Sequence, residues 1–195
     1  MSGLRKWGMA PFLVLAAWVF PCSLAALPAK DVRPINNREY FPAVLDLLNN
    51  ATQRIRIILY LAQRYDKFPA GPTNQLLQAL AQSKKRGVDI EVILEEPGGK
   101  GERSIDLEEK NLQVRRWLQE AGVKAFGDSL KVTTHAKVLV VDGRYTIIGS
   151  TNWTYAALVR NNEAAVIVDS PSVAEVYERL FDQVKPKAGD AGAHE

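Results

Sequence analysis

Apolar positions along the chain follow two periods, and each period predicts a different kind of element. A recurrence every three to four residues, as in Tyr40, Val44, Leu47 and Leu48, predicts one face of an amphipathic helix. Short runs rich in β-branched residues predict strands. The predicted helices are 40–48, 76–86, 104–121 and 170–184, and the predicted strands are 55–60, 88–94, 131–141, 145–149 and 164–168.

The order of these elements predicts the fold class. Helices and strands alternate in the first half, three further strands follow, and a helix closes the chain. This order is typical of an α/β protein with a mixed β-sheet and helices on both faces. We expect one domain over residues 37–185, preceded by a linker at 26–36 and followed by a flexible tail at 186–195.

The first 25 residues have the layout of a secretory signal peptide. Arg5 and Lys6 precede an apolar run, and Ser23 and Ala25 are the small residues that a signal peptidase inspects. An uncleaved anchor is the alternative, since residues 7–27 are nominally long enough to span a bilayer. In a bacterial host the domain would then be secreted, periplasmic or held at the membrane by this segment.

Composition limits the chemistry that the chain can carry. Among its 195 residues are 25 Lys and Arg against 22 Asp and Glu, a net charge of +3 that is too small to indicate nucleic-acid binding by itself. The single cysteine, Cys22, excludes an intramolecular disulfide and a cysteine-built zinc site. The two histidines are His135 and His194, so histidine chemistry in the folded domain depends on His135.

The region after His135 is predicted to form a β-hairpin. Asp142 and Gly143 lie between two β-rich runs, and a type I′ turn needs positive φ at both central positions. If Val141 pairs with Arg144 across this turn, the numbers of any two residues paired across the hairpin sum to 285. Asp142 then lies about 16 Å from Lys137, five residues along the strand. We therefore assign Asp142 and Gly143 a structural role in the turn.

This predicted register collects polar side chains on one face of the hairpin. His135 lies opposite Ser150, and Lys137 and Asn152 project from the same face, with Gly149 on the other. Three of these groups can donate to phosphate oxygens, while the imidazole can act as nucleophile or proton carrier. Glu163 opens the next strand and either orients the His135 ring or is an ordinary carboxylate at a strand end.

These positions resemble the H-x-K-x4-D-x6-G-S-x-N signature of the phospholipase D superfamily. The matching residues are His135, Lys137, Asp142, Gly149, Ser150 and Asn152, with Glu163 at the position of the downstream glutamate of the family. Residues 79–90 also resemble a helix-to-strand segment of these proteins, and Tyr60 fits the end of their first strand. The resemblance covers about residues 37–184. A single motif in a short chain is similar to the secreted or periplasmic endonuclease branch, which also includes relatives anchored at mitochondria.

The resemblance implies a metal-independent phosphodiesterase that needs no cofactor and acts through a phosphohistidine. It also implies a homodimer with one active site on the two-fold axis. The residues support a dimer independently, because a histidine nucleophile needs a separate acid and the folded region has no second histidine. A metal-dependent nuclease is disfavoured, because the sequence shows no clustered ligands at metal-binding spacing.

The substrate is less well specified than the chemistry. The single motif and the signal segment favour DNA or RNA, with Lys131 and Arg144 among the basic residues that can contact phosphates. Hydrolysis of phospholipid headgroups is the alternative, especially if the N-terminus remains in a membrane. A non-catalytic dimeric binding module is the alternative from another class, and in that case a change of His135 would leave function intact.

Overall fold

The computed structural model describes residues 26–97, 102–129 and 132–186. The strands are β1 (Asp31–Pro34), β2 (Arg54–Leu59), β3 (Asp89–Leu94), β4 (Lys124–Gly127), β5 (Lys137–Val141), β6 (Tyr145–Gly149) and β7 (Ala165–Asp169). The helices are α1 (Tyr40–Asn50), α2 (Pro72–Lys85), α3 (Glu102–Glu120), α4 (Tyr155–Val159) and α5 (Pro171–Val184). The predicted signal segment, Lys131 and all but the first residue of the predicted tail lie outside the described residues.

All seven strands form one mixed sheet in the order β1-β7-β6-β5-β2-β3-β4. The neighbours β2, β3 and β4 are parallel, and the remaining pairs are antiparallel. The central strands β2, β3 and β5 are almost entirely buried. The expected α/β class with a mixed sheet is confirmed.

Strand β2 shows how both faces of the sheet are covered. Ile55, Ile57 and Leu59 belong to a core that includes buried residues of α1, α2 and α3. The intervening Ile58 belongs to a separate cluster with Phe181 of α5. Because side chains of a strand alternate between faces, three helices cover one face and α5 covers the other.

Asn111 of α3 fixes the chain where β2 and β3 end. Its Nδ2 donates to the carbonyl oxygens of Tyr60 at 2.9 Å and Glu95 at 2.8 Å. Its Oδ1 accepts from the Ala62 amide at 2.9 Å. The side chain is buried, so one carboxamide satisfies three backbone groups that have left the sheet.

Three elements have no counterpart in the sequence-based expectation. Strand β1 forms within the predicted linker and pairs with β7, although all its residues are exposed. Strand β4 and helix α4 span only four and five residues, too few to show a period. The predicted strand 131–141 is regular only from Lys137, because β5 pairs with β2 and β6 no earlier than this residue.

The hairpin turn has the expected backbone, but its register is shifted by one residue. Asp142 and Gly143 have φ of 54° and 61°, and the Arg144 amide donates to the Val141 carbonyl at 3.1 Å. Val141, however, pairs with Tyr145, so opposed residue numbers sum to 286. Arg144 is the extra residue of this bulged pairing, and its carbonyl accepts from the Ser170 amide at 3.0 Å beyond the end of β7.

The shifted register corrects the expected face assignment. Gly149 now shares the face of Lys137, whereas the prediction placed it on the other face. Ser150 and Asn152 follow the last residue of β6, so the alternation of the strand does not set their directions. Their positions depend instead on contacts with the segments around them.

Candidate active site

The turn at Asp142 anchors the end of the hairpin far from the polar cluster. The Asp142 carboxylate accepts hydrogen bonds from the amides of Thr52, Gln53 and Arg54, at 2.8–3.2 Å. It also accepts from the Thr52 hydroxyl at 3.0 Å. These donors hold the pKa of Asp142 below its usual value against the opposing effect of burial. The carboxylate therefore secures the start of β2 to the hairpin.

His135 and Lys137 meet at the opposite end of β5. The Lys137 Nζ lies 3.2 Å from Nδ1 and 3.3 Å from Nε2 of the His135 ring, and it donates to the His135 carbonyl at 2.7 Å. The Tyr60 ring lies against both groups, 4.5 Å from the His135 centroid and 4.9 Å from the Lys137 Nζ. His135 itself is exposed. An imidazole open to solvent is thus held beside a fixed ammonium.

Lys137 is buried, with 7% of its surface exposed. Burial lowers its pKa from the usual value, and the negative charge of Glu163 opposes that shift. The ring of Tyr60 also favours the ammonium through a cation–π contact. The negative charge of Glu163 therefore favours the protonated form of Lys137 from across the site.

Ser150 and Glu163 form the second half of the cluster. The Ser150 hydroxyl donates to the Glu163 carboxylate and accepts from the Ala164 amide at 3.1 Å. The other carboxylate oxygen accepts from Asn161 Nδ2 at 3.1 Å. The Glu163 amide donates to Asn37 Oδ1 at 2.7 Å, which fixes the backbone of this residue. Asn37 has a φ of 51° and begins the short 3-10 helix Asn37–Glu39 that precedes α1.

Gly149 allows strands β6 and β7 to approach closely beside Ser150. An added Cβ would lie 2.4 Å from the Ala165 Cβ and 2.5 Å from the Ala164 carbonyl oxygen, well inside van der Waals contact. The Ser150 amide donates to that same carbonyl at 3.0 Å. The glycine is therefore required by the packing that brings Ser150 to Glu163.

Asn152 lies between Ser150 and a buried anchor. The Trp153 amide donates to the Leu61 carbonyl at 3.0 Å, and its indole donates to the Tyr40 hydroxyl at 3.2 Å. The Asn152 Oδ1 is buried, and no other group among the described residues bonds to it. A buried polar atom without a partner is unusual in folded proteins, so this carboxamide is a candidate for ligand binding.

A carboxyl pair behind His135 was not anticipated from the sequence. Glu95 and Asp128 follow β3 and β4 and are both buried, and Glu95 accepts from the Thr134 amide at 2.5 Å. Burial and the adjacent Asp128 carboxyl raise the pKa of Glu95 to about 7. The Asp128 Oδ2 is buried, and no group among the described residues bonds to it. The pair supports the segment that carries His135, and only the order of parallel strands could have suggested it.

The structure does not bring every predicted residue to the cluster. Arg144 lies at the turn, where its guanidinium pairs with Asp169 through bonds of 2.6 and 2.8 Å. No hydrogen bond joins Glu163 to His135 among the described residues; of the two readings left open for Glu163, the orienting contact is not seen, and the carboxylate bonds Ser150 instead. Lys131 lies outside the described residues. The Tyr60 ring contacts both His135 and Lys137, which its predicted place at the end of a strand did not indicate.

The described residues contain neither a metal-binding group of side chains nor a membrane-spanning helix. Within 26–97, 102–129 and 132–186, no group of three or more histidine, cysteine, aspartate or glutamate side chains is arranged to hold a metal ion. Over the same ranges, no helix combines the length and hydropathy needed to cross a bilayer.

Comparisons with known proteins agree with this geometry. A family model described as "Cardiolipin synthase, PLD-like domain" matches residues 44–185. The chain is 23% identical over 187 residues to a mitochondrial cardiolipin hydrolase of Chlamydomonas reinhardtii, covering 94% of this chain and 76% of that protein. It is 25% identical over 161 residues to a polyphosphate kinase of Pseudomonas aeruginosa, of which it covers 22%.

A solved structure gives a closer match in length. The crystal structure of Nuc, a phospholipase D family member from Salmonella typhimurium, aligns with a TM-score of 0.63 and 27% identity. The alignment covers 79% of this chain and 93% of Nuc.

Proposed function

This chain belongs to the phospholipase D-like family, and from that premise we propose that it is an endonuclease that cleaves phosphodiesters of DNA or RNA through a phosphohistidine. The observation that carries the proposal is the exposed His135 ring within 3.3 Å of the Lys137 ammonium. The length match to Nuc favours a compact enzyme over the longer proteins, such as the polyphosphate kinase, that this chain matches only in part. The nuclease activity, the covalent intermediate and the dimer described below are all parts of this proposal.

The first step forms a bond between a His135 ring nitrogen and phosphorus. The bond from phosphorus to the leaving oxygen breaks, and that oxygen takes a proton from an acid. Lys137, Asn152 and Ser150 are the side chains that would surround the phosphoryl oxygens, with the lysine supplying positive charge. Glu163 holds the Ser150 hydroxyl in place.

The second step consumes a water molecule. Water attacks the phosphohistidine, its proton goes to the base left by the first step, and the phosphorus–nitrogen bond breaks. The proton donor and acceptor are the same group. The sequence holds only His135 and His194, so we assign that role to His135 of a second copy across a two-fold axis. The exposure of His135 leaves the ring accessible to such a partner.

A side-by-side assay tests the proposal. Purified protein is incubated with single-stranded DNA, duplex DNA, RNA and phosphatidylcholine vesicles, each with excess EDTA. We expect cleavage of nucleic acid to persist with the chelator and to be abolished by His135→Ala. Arg179→Ala is a control, because this exposed residue, among those that the structure describes, forms an ion pair only with Glu175 of its own helix.

The remaining outcomes separate the alternatives. Strict dependence on added Mg²⁺ or Zn²⁺ would refute the mechanism. Vesicle hydrolysis without nucleic-acid cleavage would favour a phospholipase, the activity suggested by the cardiolipin hydrolase relative. Absence of cleavage of every substrate, with binding that His135→Ala leaves intact, would indicate a non-catalytic binding module.

The predicted signal segment extends the proposal to location. Cleavage after Ala25 would place the enzyme outside the cytoplasm, secreted or periplasmic, and the alternative anchor would keep it at the membrane. The N-terminal residue of the exported protein, measured by mass spectrometry, decides between the two forms.

A further inference from the structure

An open groove beside α4 takes no part in the reaction proposed above. It has a volume of about 720 Å³ and lies between the 65–73 segment, which leads into α2, and one side of α4. We call it the α4 groove. Its polar and aromatic lining residues are Tyr65, Lys67, Phe68, Thr73, Tyr155 and Arg160.

Aromatic side chains in the groove are unusually exposed. Phe68 has 67% of its surface accessible and Tyr155 has 41%, whereas most large apolar side chains of the described residues are buried. Tyr65 completes the aromatic lining from the same segment as Phe68. Exposed rings gathered in a concave site favour a ligand with flat apolar surfaces.

The charged residues of the groove have one sign. Lys67 and Arg160 line it, and no aspartate or glutamate does. The Arg160 guanidinium lies over the Tyr155 ring, 5.4 Å from its centroid. Among the described residues, neither cation forms an ion pair, so both remain available to an anion.

The α4 groove is directly connected to the reacting residues. Helix α4 joins Asn152 to Glu163: Tyr155 follows the former by three residues, and Arg160 precedes the latter by three. Three residues span at most about 11 Å of backbone. The opposite wall begins five residues after Tyr60, and the Tyr65 hydroxyl accepts from the Tyr155 amide at 3.1 Å. Both sides of the groove are therefore joined to the site by short stretches of chain.

We propose that the α4 groove binds a single-stranded polynucleotide next to the phosphodiester being cleaved. Bases stack on Phe68 and Tyr155, and backbone phosphates contact Lys67 and Arg160. A lining that combines exposed rings with cations suits the bases and phosphates of a single strand. An acyl chain would use the apolar wall but not the cations at its sides. The inference rests on the proposed nuclease function and gives that function a preference for single strands.

Binding is measured with the full-length chain carrying His135→Ala, so that cleavage does not interfere. The probes are fluorescently labelled oligomers of thymidine and of uridine, and an abasic oligomer of equal length. We expect Phe68→Ala and Tyr155→Ala each to weaken binding of the base-containing oligomers about tenfold, because stacking on one aromatic side chain is worth ~1–3 kcal/mol. Binding of the abasic oligomer should be weak and insensitive to both changes.

Controls distinguish stacking from other effects. Val176→Ala removes an exposed apolar side chain on α5, across the sheet, and should leave affinity unchanged. Arg160→Gln should weaken the binding of all three oligomers and reduce the dependence of their affinity on salt. Thermal melting of each variant shows whether its fold is retained, and the two aromatic variants provide independent tests.

The outcomes that overturn the inference are specific. Equal binding of abasic and base-containing oligomers would exclude stacking. Loss of binding to phosphatidylglycerol vesicles in Phe68→Ala, with oligomer affinity unchanged, would assign the groove to a lipid. A change in sedimentation with oligomer affinity unchanged would assign it to a second copy of the chain.

The groove and the nuclease proposal can fail separately. If the chain with His135 intact cleaves nucleic acid and Phe68→Ala and Tyr155→Ala cleave single strands with unchanged kcat/KM, the groove assignment is wrong and the proposed function stands. If no nucleic acid is cleaved but ring-dependent oligomer binding persists, the groove assignment stands and the nuclease proposal fails.

Discussion

Single residues at this site serve either the reaction or the backbone that holds it. His135 is exposed and Lys137 buried, although only Ala136 separates them, because Lys137 begins β5 and His135 precedes it. The Thr134 amide donates to Glu95, so a buried carboxyl holds the segment that carries the imidazole. The protonation of Glu95 therefore bears on the stability of the site.

The raised pKa of Glu95 predicts that the folded protein becomes less stable as pH rises. Its native pKa is about 7, above the value of about 4.3 expected in an unfolded chain. Between these values the native state holds a proton that the unfolded state lacks, so the free energy of unfolding decreases as pH rises. We expect the Tm of the native sequence to fall between pH 5 and 7.5 and Glu95→Gln to lose that part of the slope.

The control for this prediction is Glu175→Gln, an exposed carboxylate on α5 that should retain the native slope. Melting curves of the three proteins at matched ionic strength supply the measurement. An unchanged slope in Glu95→Gln would show that the Glu95–Asp128 pair does not hold the extra proton.

At the scale of elements, the long periodic segments were predictable and the short ones were not. Strand 145–149 agrees with its predicted bounds, and α5 begins after Ser170, whose hydroxyl accepts from the Val173 amide as an N-cap. Strand β1 escaped prediction because its place is set by pairing with β7, more than 130 residues later in the chain. Tertiary pairing of this kind leaves no local signal.

The candidate site was likewise predictable only in part. The types and spacing of His135, Lys137 and Ser150 were sufficient to predict a polar cluster at the end of the hairpin. The one-residue shift in register accompanies a bond from the Ser170 amide to the Arg144 carbonyl, a contact between distant segments that the turn sequence does not encode. Glu95 and Asp128 follow different strands, and parallel pairing of β3 and β4 brings them together.

The close approach of β6 and β7 predicts the effect of Gly149→Ala. The added methyl would overlap both Ala165 and the Ala164 carbonyl, so β7 must move away from β6. We expect a loss of about 1–3 kcal/mol in the free energy of unfolding. Activity should fall further than stability alone requires, because Ser150 and Glu163 would separate. Denaturant unfolding and kcat/KM measure the two effects.

A second change tests the cause. Ala165→Gly in the Gly149→Ala background removes the shortest of three contacts but leaves the Ala164 carbonyl oxygen 2.5 Å and the residue 165 Cα 2.8 Å from the new methyl. Stability should therefore recover only in part. Full recovery would locate all the strain in the Ala165 methyl, and native stability in Gly149→Ala alone would contradict the close-approach argument.

At the scale of the whole molecule, the relatives share a fold while their names indicate different substrates. A cardiolipin hydrolase and a polyphosphate kinase both align with most of this chain. A phosphorus centre is common to the substrates that those names indicate, so the chemistry proposed for His135 does not by itself distinguish between them. Selectivity must then come from surfaces beside the site, and the α4 groove is such a surface.

The proposed two-fold site makes a prediction about mixed dimers. If one site uses His135 of one copy as nucleophile and His135 of the other as acid, a dimer of native and His135→Ala subunits lacks one of the two groups. Random exchange at fixed total protein should then make activity fall as the square of the native fraction. Independent sites in each subunit would give a linear fall instead. A fully active monomer at the assay concentration would refute the shared site and require an acid from the same chain, either Glu163, which is bonded to Ser150, or another carboxylate.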